Sequence, residues 1–383
     1  MIGVIADDLT GAAEIGAIGW SRGLRAEILR DGKPGCEADL ICVDTDSRSC
    51  EPGVAAQRAA AAAKMLQATG ARWIYKKVDS VLRGNVIPEV EAILQQLGLN
   101  RALLLPENPS LGRTIAGGEY FIHGQPIHLT EFANDPEHPR GSPQVLQLLA
   151  PPSHFTLRLS DGRNEVPENT LLVAQADSSG QVKFWAAACD ASCLPVGGSE
   201  FFSALLGENL PLIASEPIDF NLGRQLFICG TASKSVQALI ESCRESNTPV
   251  FGLPLKLASG AEMSHESREL IEKQVREAFE THRRVMLHIG LPTVEHPTTA
   301  RRLADHLVAV AERVLRQLPV TNIFAEGGAT AAELVRRMNW QRMEVLYQWA
   351  PGVATLAVED DKTHWLTIKP GSYSWPDEWI RGI

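Results

Sequence analysis

The stretch MIGVIADDLTGAAEIGAIGW, residues 1–20, decides how the fold is read. MIGVIA is a short apolar run with the character of a buried strand, and it stops at two adjacent aspartates, Asp7 and Asp8. Residues 9–22 then read as a helix, because Ala12, Ala13, Ile15, Ile18 and Gly19 form an apolar, closely packing face at helical spacing. A strand that gives way at once to a helix is one α/β unit. In open parallel sheets, ligands bind beyond the carboxyl ends of the strands, where Asp7 and Asp8 stand. Two like charges side by side repel unless a cation or a set of hydrogen-bond donors answers them. The segment Asp8-Leu9-Thr10 suits a helix cap. One cap leaves Asp7 unexplained.

The same alternation continues outward. LRAEIL (24–29), ADLICVD (38–44), ARWIYKKVD (71–79) and RALLLP (101–106) read as strands, with helices at 52–68 and 86–97, the first rich in the best helix former. The fold class expected is α/β, a mostly parallel sheet flanked by helices. Residues 110–140 are rich in glycine, proline and polar side chains, with short strands at 119–123 and 126–129. A long loop of this sort in a compact domain is often functional. Alternating character returns over 154–206, and 207–223 lacks a period. A boundary there gives an N-terminal domain, 1–222, and a C-terminal domain, 223–383, in keeping with roughly 100–200 residues per domain. The second domain restarts with RQLFICG (224–230) and continues with strands at 249–255, 283–290 and 320–328 between helices at 233–245, 264–281, 298–317 and from 329. Short strands at 343–349, 353–359 and 364–370 close the chain.

Composition narrows the function. Hydrophobic residues make up 44% and charged residues 21%, as in an ordinary globular protein, and the net charge of −10 argues against a general nucleic-acid binder. Seven cysteines at spacings that match no zinc framework read as free thiols, with Cys189 and Cys193 one helical turn apart. No secretory leader and no run near the roughly 20 apolar residues of a membrane span are present, so a cytoplasmic protein without membrane partners is expected. The ten histidines form no metal pattern, and no residue is singled out as a metal ligand. A nucleophile elbow, a Walker loop and a dinucleotide fingerprint are all missing, which speaks against a serine hydrolase and an oxidoreductase.

Chemistry gathers at the strand ends. VDTDSRS places Asp44, Asp46, Ser47 and Arg48 after one strand; KKVDSVLRGN places Lys76, Lys77, Asp79, Ser80, Arg83, Gly84 and Asn85 after another; PENPSLGRT places Arg113 and Thr114 after a third. If these strands are neighbours, carboxylates, cations and hydroxyls line one crevice, a mixture suited to a small polyhydroxylated acid. Arginine grips a carboxylate with parallel hydrogen bonds, and an aspartate can take the proton of an alcohol. In the second domain, Gly230-Thr231-Ala232-Ser233, Gly327-Gly328-Ala329-Thr330 and Lys369-Pro370-Gly371 are turns through which backbone N–H groups can approach an anion at a helix start.

Taken in order, ADDLTGA (6–12), DTDSR (44–48), KKVDSVLRGN (76–85), GRT (112–114), FANDPEHP (132–139), EGGATA (326–331) and IKPGSY (368–373) resemble the motifs of the four-carbon acid sugar kinases. The resemblance spans nearly the whole chain. It implies a two-domain ATP-dependent kinase with its active site in the interdomain cleft, phosphorylating the terminal O4 of a sugar acid such as threonate, erythronate or 3-oxo-tetronate. It implies Asp8 and Asp79 as catalytic residues, Asp8 the first choice of base, and Asp7, Arg48, Lys77, Arg83 and Arg113 on the substrate side, with Lys77 and Arg83 holding the substrate carboxylate or the transferring phosphoryl group. Ser233, Gly327, Gly328, Ala329, Thr330 and Gly371 would bind the nucleotide, ATP with Mg2+. A homodimer is an assembly open to it. Val81 stands where the family has threonine, Val236 and Leu239 where it prefers a hydroxyl residue and glutamine, and Ser374 where it has glycine. A sugar-acid sensor without kinase activity is the alternative.

Overall fold

The computed structural model describes all residues except 32, 33, 36, 136, 153, 161, 164, 208–222, 232, 233, 291–296, 359–363, 372–374 and 376–383, together with the side chains of 234, 235, 258 and 297–300. The chain divides into two compact units, Met1–Ile213 and Ala214–Ile383. The boundary expected at 222/223 falls at the end of the stretch 208–222, which lies outside the described residues.

The first unit contains β1 (Ile2–Ala6), α1 (Leu9–Ser21), β2 (Ala26–Leu29), β3 (Leu40–Asp44), α2 (Pro52–Ala68), β4 (Ile74–Lys77), α3 (Val86–Leu97), β5 (Arg101–Leu105), β6 (Arg113–Ala116), β7 (Glu119–Ile122), β8 (Gln125–Pro126), α4 (Val145–Leu148), β9 (Thr156–Leu159), β10 (Thr170–Val173), α5 (Ser179–Ala186), β11 (Leu194–Gly197) and α6 (Ser199–Leu206). Its main sheet runs β2-β3-β1-β4-β11-β5-β10-β9, with all pairings parallel. Helices α2 and α3 pack together on one face over Ile5, Ile41, Val43 and Ile74. On the other face α1 meets α6, and Tyr75 packs its ring on Phe201 and Phe202. Neighbouring β1 and β3 therefore send their helices to opposite faces, which opens a crevice at their carboxyl ends.

Register sets that edge. Ala6 lies beside Asp44 and Lys77, and Gly197 beside Lys77 and Leu105, so the strand-end clusters share one rim. The stretch expected as a long loop carries the antiparallel sheet β6-β7-β8. Cys189 and Cys193 sit in the connection between α5 and β11 rather than on a helix, and the six described cysteines are free.

The second unit contains β12 (Arg224–Cys229), α7 (Lys234–Glu245), β13 (Val250–Gly252), α8 (His265–Thr281), β14 (Arg284–His288), α9 (Pro297–Gln317), β15 (Val320–Glu326), α10 (Gly328–Met338), β16 (Arg342–Ala350), β17 (Val353–Val358) and β18 (Trp365–Lys369). Strands β13-β14-β12-β15-β18 are parallel, and β17 and β16 extend the sheet antiparallel. Phe227 stacks on Phe324 with ring centroids 4.4 Å apart, and α7 covers them through Val236 and Leu239. Those two departures from the family pattern are thus core residues, 3% and 1% exposed, and so is Val81 at 1%. Ser374 lies outside the described residues.

Candidate active site

On the rim of the first sheet, the Asp7-Asp8 pair finds its cation in Arg48. The Arg48 guanidinium donates from Nε and Nη2 to both oxygens of Asp7, at 2.8 and 2.9 Å, and from Nη1 to Asp8 Oδ2 at 2.6 Å. Asp8 also caps α1, accepting from Gly11 N at 2.8 Å and from Thr10 Oγ1 at 2.6 Å. Asp8 thus serves as the cap while also pairing with Arg48. The two carboxylates are unequal, the Asp8 side chain being 19% exposed and that of Asp7 4%. Burial raises the Asp7 carboxyl, but the charge and hydrogen bonds of Arg48 outweigh it and hold the group below the usual range.

Strand alternation separates the adjacent lysines. Lys76 points to the α3 face and meets Glu89 at 2.5 Å, both fully buried. Glu89 also accepts from Ser47 Oγ at 2.5 Å, which ties the Arg48 loop to the pair. Lys77 points to the α1 face, 3.2 Å from Glu14, and donates to Val78 O. A Cβ on Gly11 would stand 2.8 Å from Asp8 Oδ1 and 3.7 Å from Lys77 Nζ, so that ammonium lies beside the capped turn.

Asp79 is held by its own loop. It accepts from Val81 N and Arg83 N, and Arg83 grips it through Nε at 3.0 Å and Nη2 at 2.8 Å. Burial raises this carboxyl, yet Arg83 and Arg48 hold it well below the usual range. So committed a carboxylate is a poor proton acceptor. The remaining Nη1 of Arg83 meets Asp135 at 3.1 Å. Lys77 and Arg83, expected to hold the substrate's anion, already hold protein carboxylates. Arg113 Nη1 donates to Ser80 Oγ, and Tyr120 OH to Ser80 O, so the β6–β8 sheet is pinned to the same loop.

In the second unit the rim aligns Cys229, Glu326 and Lys369. Glu326 and Lys369 form an ion pair at 3.1 Å, both with fully buried side chains. Thr231 Oγ1 donates to Glu326 Oε1 at 3.1 Å and Trp375 Nε1 to Oε2 at 2.7 Å. Above this pair, Gly230 leaves room for Thr330, whose Oγ1 would lie 1.7 Å from a Cβ there. Gly327, at φ 99°, and Gly371 both close on the Thr231 methyl, 3.0 and 3.1 Å from where their Cβ atoms would be. The first helical hydrogen bond of α10 runs from Ala331 N to Gly327 O, so the N–H groups of Gly328, Ala329 and Thr330 open the helix. Thr330 is buried and Ala329 exposed. Ser233, expected here, lies outside the described residues.

Sequence reasoning missed the partners: Glu14, Glu89, Asp135, Glu326 and Trp375. Glu89 carried a readable signal, standing on the apolar stripe of Val86, Val90 and Ile93 where a charge needs a buried partner. Among the described residues, no three histidine, cysteine, aspartate or glutamate side chains group to hold a metal, and no helix is long and apolar enough to cross a membrane.

Comparison with known proteins agrees with this division. The family described as Sugar-binding N-terminal domain matches residues 2–193, and that described as Nucleotide-binding C-terminal domain matches 226–373. The chain belongs to the four-carbon acid sugar kinase family. It is similar to a Salmonella typhimurium D-threonate kinase, 34% identical over 38% of this chain and 36% of the relative, so that alignment spans about a third of the relative's length. A 3-oxo-tetronate kinase of Pseudomonas fluorescens is 25% identical over 100% of this chain and 96% of its own. A solved structure from Salmonella typhimurium LT2 superposes with a TM-score of 0.83 at 19% identity, covering 100% of this chain and 98% of that one, which shows the shared fold. In this four-carbon acid sugar kinase family member the aspartate–arginine lattice falls in the part matched as sugar-binding and the glycine turns in the part matched as nucleotide-binding.

Proposed function

We propose that this protein is an ATP-dependent kinase that transfers the γ-phosphoryl group of ATP to the terminal O4 hydroxyl of a four-carbon sugar acid such as threonate, erythronate or 3-oxo-tetronate. The observation that carries this reading is the Asp7–Arg48–Asp8 lattice at a parallel-sheet rim, in the part matched as sugar-binding, on a chain whose remainder is matched as nucleotide-binding. Phosphoryl transfer asks a protein mainly for in-line positioning and charge neutralisation. Asp7 fixes Arg48, and Arg48 with Thr10 fixes the carboxylate of Asp8. As the more exposed of the pair, Asp8 accepts the proton of the attacking hydroxyl. Lys77, beside the same turn, neutralises charge on the group in transit. The open N–H groups at the start of α10 face the nucleotide's phosphates, with Gly327 and Gly371 allowing close approach. Mg2+ carried by the nucleotide would supply neutralisation of the phosphate charge.

ATP consumption in a coupled assay with each of these acids tests the reading. Turnover with at least one is expected, and Asp8→Asn should lower it roughly 100- to 10,000-fold. No turnover with any of the acids would overturn the reading. Near-normal turnover of the variant would remove Asp8 as base.

A further inference from the structure

The cations at the substrate-side rim differ in what they already hold. Arg48 is committed to Asp7 and Asp8, Lys76 to Glu89, Lys77 to Glu14, and Arg83 to Asp79 and Asp135. Arg140 is buried and donates to the carbonyls of Leu82 and His138. Arg113 stands apart. Its guanidinium makes one side-chain hydrogen bond among the described residues, from Nη1 to the uncharged Ser80 Oγ, and it has no carboxylate partner there. It is half-buried. A guanidinium has five N–H donors in a planar fork that fits a carboxylate with two parallel bonds, so most of this fork is left to a ligand.

Placement supports the same conclusion. Gly112 has φ 67°, and the His123 ring fills the space of its missing side chain, 2.2 Å from where a Cβ would be, so the chain is turned sharply into β6 just before Arg113. Backbone hydrogen bonds from Asn108 N to Arg113 O and from Arg113 N to Asn108 O fix the residue's backbone. Through Ser80, the guanidinium lies against the loop that carries Asp79 and Arg83. A four-carbon sugar acid brings one carboxylate at the end opposite its O4. With Arg48, Lys76, Lys77 and Arg83 matched to protein carboxylates and Arg140 buried against backbone carbonyls, Arg113 is the cation placed to receive it.

We infer that Arg113 binds the substrate's carboxylate and selects the acid over the uncharged tetritol of the same carbon chain. This rests on the sugar-acid reading proposed above, and it reassigns the task from Lys77 and Arg83.

Titration calorimetry on the full chain without nucleotide reads the inference independently of phosphoryl transfer. D-threonate is titrated into wild type, Arg113→Met and Arg113→Lys, threitol affinity is measured by displacement, and thermal midpoints are recorded for all three. Wild type should prefer the acid. Arg113→Met should bind threonate roughly 10- to 100-fold more weakly, with threitol affinity unchanged. Arg113→Lys, which keeps the charge but not the fork, should fall between them and carries the test if the methionine variant does not fold. Undiminished threonate binding in the variants, equal loss for acid and tetritol, or a wild type with no preference for the acid would each overturn the inference. Binding that follows the expected pattern in a protein that transfers no phosphoryl group would uphold Arg113 and overturn the kinase reading.

Discussion

Lys76–Glu89 in the first unit and Lys369–Glu326 in the second are each a fully buried lysine–glutamate pair at or beside the end of a parallel strand, under a candidate binding face. They serve different kinds of surface. Glu89 takes one further bond, from Ser47, and so braces a loop whose Arg48 side chain is itself part of the candidate site. Glu326 takes bonds from Thr231 and Trp375, and the turns packed around Thr231 present mostly glycine backbone. Where side chains recognise hydroxyls and charge, buried charges need partners of their own, and the first unit supplies most of them with a lattice of carboxylates and cations. Where backbone N–H groups meet phosphate, what must be fixed is the spacing of the turns, and one buried hub can do it. Burial pushes the Lys369 ammonium down against the pull of Glu326, and burial pushes the Glu89 carboxyl up against that of Lys76.

The comparison is broken or kept most sharply by Glu326→Gln and Glu89→Gln, each of which removes the carboxylate charge paired with a buried ammonium. Both should cost about 3–5 kcal/mol in urea unfolding. Their binding defects should separate, with Glu326→Gln weakening ATP and sparing the sugar acid, and Glu89→Gln doing the reverse. Equal losses of both ligands in both variants would show that the pairs support only overall stability. A smaller effect is expected at Gly84. Its φ is 88°, and a Cβ would stand 3.1 Å from Asp7 Oδ2 and 3.2 Å from Arg48 Cγ. Gly84→Ala should cost about 1–2 kcal/mol and weaken acid binding. Gly98→Ala, at φ 68° with nothing within 4 Å, should cost a similar amount of stability and leave binding alone.

A further test concerns Asp44, whose carboxyl is pushed up to about 7 from an ordinary 3.8, chiefly by burial, against the pull of Arg30. Arg30 Nε is 3.3 Å away without a hydrogen bond, whereas Arg83 grips Asp79 firmly enough to shift it the other way. Folded Asp44 holds its proton more tightly than the unfolded chain does, so its ionisation removes stability as pH rises from about 4 to about 7. Asp44→Asn should flatten that part of the stability–pH profile, read from thermal midpoints at pH 5 and pH 8. An unchanged slope would mean that Asp44 ionises as readily in the fold as out of it.

Local pattern determined much of this protein. The apolar run before Asp7, the alternation of strand and helix, the helix bounds at 52–68 and 86–97, and the polar residues after each strand are all legible in the sequence, because side-chain periodicity and helix propensity act over a few residues. The tertiary structure decided the pairings. Asp7 and Arg48 are 41 residues apart, and Thr231 and Glu326 are 95 apart. Strand order and register bring such residues together, and neither is set by local spacing. Alternation along β4 sent Lys76 and Lys77 to different glutamates, and burial decided that Asp79 is a clamped carboxylate while Asp8 keeps an open side. The sequence by itself determined which chemical groups stand at the rims. Only the three-dimensional fold decided which of them neutralise one another and which are left to meet a ligand, because Coulomb interaction and desolvation depend on distance in space and on burial.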